Sequence, residues 1–132
     1  MRETLAERIC HVWFSAKRRI PLLEGEVEDD LRRLLREQAA GAEARLLEAE
    51  TGIDHVRLVL AVPEKKPLAQ VMQQIKGGSS YALSLKYPDL KADMGQAALW
   101  QKGYRFQRLE ADEVQRARGY VRTQQSRPLR HR

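Results

Sequence analysis

The chain has 132 residues, enough for one compact core, and 42% of them are hydrophobic, as is typical of a globular domain. Its 24 lysines and arginines outnumber its 18 aspartates and glutamates, and the net charge of +6 favours an anionic partner such as nucleic acid. The single cysteine, Cys10, excludes an internal disulfide and a cysteine-based zinc site, and no apolar stretch approaches the ~18 residues of a membrane span.

These features also bear on where the protein works and how it is divided. The first residues are charged and lack the apolar segment of a signal peptide, and one cysteine suits a reducing compartment. We therefore expect a cytoplasmic protein that forms a single domain over residues 1–132. A basic tail at 126–132 is expected to be flexible.

Hydrophobic periodicity predicts the elements of the first half in chain order. Residues 8–16 are rich in β-branched and aromatic side chains and predict a strand. Apolar residues at helical spacing then predict a helix over 26–40, which Gly41 ends. Strands at 42–50 and 54–62, separated by a short turn, predict an antiparallel hairpin.

The second half repeats the alternation of helix and strand. Apolar spacing predicts a second helix over 68–85, with a weak point at the glycine pair 77–78, and then a loop. Residues 99–109 predict a fourth strand, and an apolar stripe predicts a last helix that contains Val114, Ala117 and Val121. The order β-α-β-β-α-β plus a C-terminal helix predicts an α+β, ferredoxin-like fold, in which helices cover one face of a four-stranded antiparallel sheet.

The strand at 54–62 carries the most informative pattern in the chain. Side chains alternate between the two faces of a strand, so one set faces the core: Val56, Leu58, Leu60 and Val62. The other set faces away from it: His55, Arg57, Val59 and Ala61. Two histidines at the positions of His55 and Arg57 could share a divalent metal. A guanidinium cannot be a ligand, because it stays protonated and offers no lone pair.

Five segments in a fixed order cover nearly the whole chain. They are HVWFSAKRR at 11–19, DHVRLVL at 54–60, QIKGGSS at 74–80, LWQKGY at 99–104 and YVRTQ at 120–124. Together they resemble the single-tyrosine HUH transposases, the small TnpA-type enzymes of bacterial insertion sequences and their REP-associated tyrosine transposase relatives.

The resemblance implies a nuclease that cuts single-stranded or hairpin DNA at the ends of a mobile element. A tyrosine on a helix attacks a phosphodiester, which leaves a 5′-phosphotyrosine and a free 3′-hydroxyl that later rejoins strands. Mg²⁺ or Mn²⁺ is held by two histidines and a polar residue of the tyrosine helix. By position, Tyr120 matches the nucleophile, His55 the first ligand and Gln124 the third, while Arg57 stands where the second histidine belongs. The resemblance also implies a homodimer.

Arg57 leaves three interpretations open. The chain is a decayed or repurposed copy, or the guanidinium binds the scissile phosphate in place of the metal, or a weakened metal site uses His55, Gln124 and Asp54 with water. We rank loss or strong reduction of metal binding first. An alternative function is a non-catalytic nucleic-acid-binding module. Without the resemblance, Tyr120 would be interpreted as a packing tyrosine.

The basic residues supply candidate contacts to DNA phosphates. Taken singly, each is more often a solvated surface charge; in the context of this family they are predicted phosphate contacts. The predicted set is Lys17, Arg18, Arg19, Arg57, Lys76, Lys102 and Arg105.

Overall fold

The computed structural model describes residues 6–16, 25–52, 54–88 and 99–126, and describes side chains as far as residue 120. The strands in these ranges are β1 (Glu7–Ser15), β2 (Arg45–Thr51), β3 (His55–Pro63) and β4 (Arg105–Leu109). The helices are α1 (Gly25–Gly41), α2 (Leu68–Lys86) and α3 (Ala111–Ser126). Within the described ranges, no helix has both the length and the apolar character needed to cross a membrane.

The four strands form one sheet in the order β2-β3-β1-β4, and all three neighbouring pairs are antiparallel. The predicted hairpin is therefore present as the β2–β3 pair. Side chains alternate between the two faces along β1 and β3, and one set points towards α1 and α2, where it forms the main core. This arrangement confirms the predicted α+β, ferredoxin-like fold.

The last helix covers part of the opposite face of the sheet. A second, smaller apolar cluster forms there between the sheet and α3, and it contains Val59, Leu109, Ile9, Leu47, Val114 and Ala117. Two of the three residues predicted for the apolar stripe of the helix are thus in contact with the sheet. The side chain of the third, Val121, lies outside the described set. The helix leaves the rest of this face, including His55 and Arg57, only half buried.

An irregularity in β2 decides which of its side chains reach the α3 face. Leu46 lies opposite Leu60, but Glu48, two residues later, lies opposite Val59, so one extra residue is accommodated in β2. Such a β-bulge reverses the alternation of faces beyond it. Because of the bulge, Glu50 lies directly opposite Arg57 instead of facing the main core.

The predicted second strand begins three residues later than expected. Residues 42–44 complete the end of α1, where the amide of Ala44 donates to the carbonyl of Ala39 at 2.9 Å. The turn places Glu43 in the left-handed region, with φ of 68°. Gly41 is the last residue of α1, as predicted.

The predicted fourth strand is correct only in its second half. Regular strand begins at Arg105, because Gly103 has a φ of +84° and turns the chain two residues earlier. The segment before the turn packs on α2: the indole of Trp100 donates to Ser79 at 3.0 Å, and its ring packs edge-on against Phe14. A single bridge between Ala16 and Trp100 links this segment to the end of β1.

The glycine pair at 77–78 does not interrupt α2, which runs unbroken from Leu68 to Lys86. The predicted weak point is therefore wrong, because the buried positions on either side, among them Ile75 and Leu83, hold the helix against the sheet. The two glycines differ in their surroundings. A Cβ at Gly78 would meet the Gln38 side chain of α1, whereas nothing lies within 4 Å of one at Gly77.

We expect Gly77→Ala to raise the free energy of unfolding by roughly 0.5–1 kcal/mol, because alanine loses less backbone entropy in a helix. Gly78→Ala should gain less, since the Gln38 side chain must first move. Urea denaturation of both variants checks this order. An equal gain from both would show that α1 and α2 are not in close contact at Gly78.

Candidate active site

A row of side chains crosses the α3 face of the sheet. Arg57 on β3 lies opposite Glu50 on one side and Trp13 on the other, and Trp13 in turn lies opposite Arg105 of β4. His55 is two residues before Arg57 on the same face, as predicted from strand alternation. We call Glu50, Arg57 and Trp13 the Arg57 row.

The guanidinium of Arg57 is the centre of this row. Its Nε lies 3.5 Å from Glu50 Oε1, at ion-pair distance. Its Cζ lies 5.7 Å from the centroid of the Trp13 ring and 5.7 Å from that of Tyr120, both within the range of cation–π attraction. The cation is therefore held by a carboxylate and two aromatic rings, while the side chain remains 30% exposed.

Glu50 was not among the predicted site residues. It is only 4% exposed, and its Oε2 lies 3.7 Å from the Nε2 of His55, so one buried carboxylate faces both an imidazole and a guanidinium. Simple alternation from Leu46 would have placed it on the core face, and the bulge could not be foreseen. Counting back from the hairpin turn gives the correct pairing, with Thr51 opposite Val56 and Glu50 opposite Arg57.

His55 lies between two carboxylates and against a glycine. Its Nδ1 is 3.5 Å from Asp54 Oδ1, on the opposite side of the ring from Glu50. The ring packs over Gly52, where a Cβ would come within 2.3 Å of its Cε1 atom. Any side chain at position 52 would displace the imidazole, so Gly52 is part of what positions His55.

His11 and Trp13 share the open face with His55, because β1 pairs with β3 and Trp13 lies opposite Arg57. Their rings are 5.0 Å apart. Burial, reinforced by the nearby Arg57 cation, lowers the pKa of His11, and Glu50 partly offsets this. Its Nε2 atom is buried without a hydrogen-bond partner among the described residues.

Helix α3 places Tyr120 beside the Arg57 row. The helix is anchored to β2 by Arg118, whose Nε donates to Glu48 Oε2 at 3.1 Å, and by the apolar contacts of Val114 and Ala117. Tyr120 is 45% exposed, with its ring over the guanidinium of Arg57. The backbone of Gln124 lies one turn further along α3, and its side chain is outside the described set.

The donor atoms at this site do not fit a divalent metal. The two carboxylate oxygens of Glu50 face the imidazole and the guanidinium, so a dication bound there would meet the positive charge of Arg57. In the part of the chain that the structure describes, no group of three or more His, Cys, Asp or Glu side chains could hold a metal ion.

The residues predicted to contact DNA lie in different places. Arg57 and Arg105 lie on the α3 face, whereas Lys76 and Lys102 line a cleft of about 640 Å³ between α2 and residues 100–104, on the other side of the sheet. Lys76 donates to the carbonyls of Gln101 at 2.8 Å and of Gly103, and burial lowers its pKa, so it fastens this segment to α2. Lys17, Arg18 and Arg19 lie outside the described residues.

The ion pair predicts unequal effects on stability. Arg57→Met should lower the free energy of unfolding by about 2 kcal/mol, less than the 3–5 kcal/mol of a fully buried pair because Arg57 is partly exposed. Glu50→Gln should lower it by about 1 kcal/mol or less, since the freed guanidinium can turn towards water while a freed carboxylate stays buried. Urea denaturation measures both values, and the reverse order would contradict this view of the pair.

Comparison with known proteins places these residues in context. A family model described as "Transposase IS200 like" matches residues 5–124. Over 94 residues, or 71% of its length, the chain is 32% identical to the transposase for insertion sequence element IS200 of Salmonella typhimurium and 31% identical to the ISDra2 transposase TnpA of Deinococcus radiodurans. These matches span 62% and 67% of the two relatives, so the chain covers less than two thirds of the first.

Solved structures share the fold. A Deinococcus radiodurans chain described as a transposase superposes with a TM-score of 0.75, 23% identity and coverage of 96% of this chain and 98% of its own. A REP-associated tyrosine transposase bound to a REP hairpin superposes with a TM-score of 0.65, 14% identity and coverage of 92% and 68%. At these identities, the likeness shows a common fold.

Proposed function

The chain belongs to the IS200-like transposase family, and from that membership we propose that it cuts and rejoins single-stranded DNA through a covalent bond between the DNA and Tyr120. The observation that supports this most directly is the position of Tyr120. Its exposed ring lies over the guanidinium of Arg57, on the sheet face that carries His55. A phenol, a cation and an imidazole on one open face are what an attack on a phosphodiester needs.

The proposed reaction has two balanced steps. The Oη of Tyr120 forms a bond to phosphorus, the bond from phosphorus to the 3′ oxygen breaks, and that oxygen takes up a proton to become a free 3′-hydroxyl. The phenolic proton passes to a base on the same face, for which His55 is our candidate. A free phenol has a pKa of about 10 and attacks poorly at neutral pH, so this assistance matters. In the second step a 3′-hydroxyl attacks the phosphotyrosine, and Tyr120 is released.

We propose single-stranded or hairpin DNA as the partner. The net charge of +6 supports an anionic partner, and Arg105 extends the Arg57 row towards the edge of the sheet. The flanking aromatic ring of Trp13, half buried beside Arg57, suits stacking against an unpaired base.

A covalent-adduct assay tests the proposal. Oligonucleotides with the hairpin-forming DNA that flanks this gene are labelled at either end and incubated with protein in chelator, Mg²⁺ or Mn²⁺. A 3′-label should migrate with the protein on a denaturing gel, and a 5′-label should appear on a shorter free strand. Mass spectrometry should locate the link at Tyr120. Absence of the adduct in all three conditions would contradict the nuclease proposal.

A non-catalytic nucleic-acid-binding module is the second candidate. The observation that favours it is the Glu50–Arg57 ion pair at the position where the resemblance expects a metal ligand, because it leaves a cation that could contact DNA and, among the described side chains, no cluster that could hold a metal. This candidate predicts that the same oligonucleotides bind without forming an adduct. Affinity that falls steeply with salt is expected of both candidates, so only the adduct separates them.

We also propose a homodimer, as the resemblance implies. Strand β4 ends the described sheet, and its Phe106 is 56% exposed, so this edge offers backbone groups and an apolar side chain to a second copy. The contacts of α3 with its own sheet show that Tyr120 reaches Arg57 within one chain. Light scattering of the full chain measures the mass, and a monomer at all concentrations would contradict the dimer.

A further inference from the structure

We propose that Arg57, positioned by Glu50, is the phosphate-binding group of this site, so that DNA cleavage by this chain requires no divalent metal. The inference rests on the proposed function, because it concerns how Tyr120 attacks DNA. It goes further by replacing the metal of the family with a residue pair of this chain. Arg57 would contact the phosphate, and Glu50 would act mainly by positioning Arg57.

The first support is the way Arg57 is held. Its Nε faces Glu50, and its contacts in the described part of the chain are otherwise the rings of Trp13 and Tyr120. This arrangement leaves the N–H groups of both terminal nitrogens for an incoming anion. A guanidinium offers paired donors that match two phosphate oxygens, and such charge-assisted hydrogen bonds are short and strong.

The second support is the distance to the nucleophile. The Arg57 Cζ is 5.7 Å from the ring centroid of Tyr120, so a phosphate bound by this cation lies beside the phenol that attacks it. Preorganised donors next to a reacting phosphate stabilise the charge that develops on its oxygens. Arg57 therefore combines substrate binding and stabilisation of the transition state.

The third support is the burial of Glu50. Glu50 is only 4% exposed. Because it lies directly opposite Arg57 in the β2–β3 pair, its carboxylate is held on the β2 side of the guanidinium. The Oε1 atom of Glu50 is buried without a hydrogen-bond partner among the described residues, so its electrostatic attraction to Arg57 at 3.5 Å is what keeps the guanidinium in place before DNA arrives. Glu50 is thus a positioning residue, and the bulge in β2 is what delivers it.

The decisive experiment is the adduct assay with metal as the variable. With chelator, Mg²⁺ or Mn²⁺, adduct rates of the wild-type chain should agree within about threefold. Arg57→Ala should lower the rate at saturating DNA by roughly 100-fold or more, as removal of a preorganised transition-state donor does. An adduct that forms only with metal would overturn the inference and leave the proposed nuclease function intact.

The role of Glu50 has its own test. Glu50→Gln should lower the adduct rate about tenfold in the wild-type background and only about twofold in the Arg57→Ala background, because its main effect is through Arg57 and only the contact with His55 at 3.7 Å then remains. Glu50→Asp should restore part of the rate. Glu64→Gln, which removes an exposed carboxylate at the far end of β3, is the control and should match the wild type. A loss of equal size in both backgrounds would show a merely structural role.

A second readout separates the inference from the function. Trp13 lies against Arg57, so a phosphate bound there should change its fluorescence, and the change should disappear in Trp13→Phe. Titration with the hairpin oligonucleotide should give the same change with and without chelator, and none in Arg57→Ala. If no adduct forms but this change is seen in the wild type and lost in Arg57→Ala, the nuclease proposal fails and Arg57 remains a metal-independent phosphate-binding residue. If neither is seen, both fail.

Discussion

Tyr120→Phe is expected to abolish the protein–DNA adduct, lowering its rate by roughly 10⁴-fold or more, as loss of a covalent nucleophile does. The substitution removes only the hydroxyl that forms the bond to phosphorus. The aromatic ring remains over Arg57, so the shape of the site and the position of the guanidinium should be preserved. The 3′-labelled oligonucleotide on a denaturing gel measures the adduct, and a filter-binding titration should show DNA affinity within about threefold of the wild type.

Tyr81→Phe is the matched control for this experiment. Tyr81 is 69% exposed on α2, on the opposite side of the sheet from Tyr120. The Tyr81→Phe variant should therefore form the adduct at the wild-type rate. An adduct that persists in Tyr120→Phe would assign the nucleophile to another residue. Loss of DNA binding in Tyr120→Phe would instead favour a packing or binding role for the tyrosine.

The parts of the fold that could be predicted from the sequence are those in which one local pattern decides the outcome. Alternation along β3 places Val56 and Leu58 in the core and His55 and Arg57 on the other face, because a strand has a period of two and nothing in β3 interrupts it. The stripe of the last helix is equally local, and it does lie against the sheet through Val114.

The parts that could not be predicted depend on contacts distant in sequence. The segment before Arg105 has the composition of a strand, but Gly103 turns it, and it packs on α2 through Trp100 and the carbonyls that Lys76 binds. Glu50 was missed for a related reason: the bulge in β2 forms against β3 and is not visible in the residues of β2 alone. Tertiary contacts decide both cases.

The candidate site shows the same division. Strand alternation and family position are sufficient to place His55, Arg57 and Tyr120 on one face, but they treat Arg57 only as a missing metal ligand. The structure adds the contacts of its cation, with Glu50 at 3.5 Å and two aromatic rings. Our proposal interprets these contacts as those of a positioned guanidinium and not of a decayed metal site. The three interpretations of Arg57 therefore differ in what its replacement should do.

Arg57→His is expected to make the adduct depend on metal. The substitution places a second imidazole two residues after His55 on the same face, and it removes the positive charge that repels a dication. Glu50, released from its ion pair, then offers a carboxylate oxygen at the same place. Affinity for Mn²⁺ should rise by at least about 100-fold, beyond the 10–100-fold effects of residues that only support a ligand. Calorimetric titration measures the affinity, and adduct formation should now stop in chelator.

Arg57→Lys separates charge from ligand chemistry. Lysine keeps the cation beside Glu50 but offers one ammonium instead of a planar fork, so the adduct rate should fall while remaining independent of metal. If Arg57→His binds Mn²⁺ but forms no adduct, the wild-type reaction depends on the guanidinium and the rest of the site is not arranged around a metal. If Arg57→His and Arg57→Lys respond to Mn²⁺ alike, the metal binds elsewhere, and Arg57 does not stand in the position of a ligand.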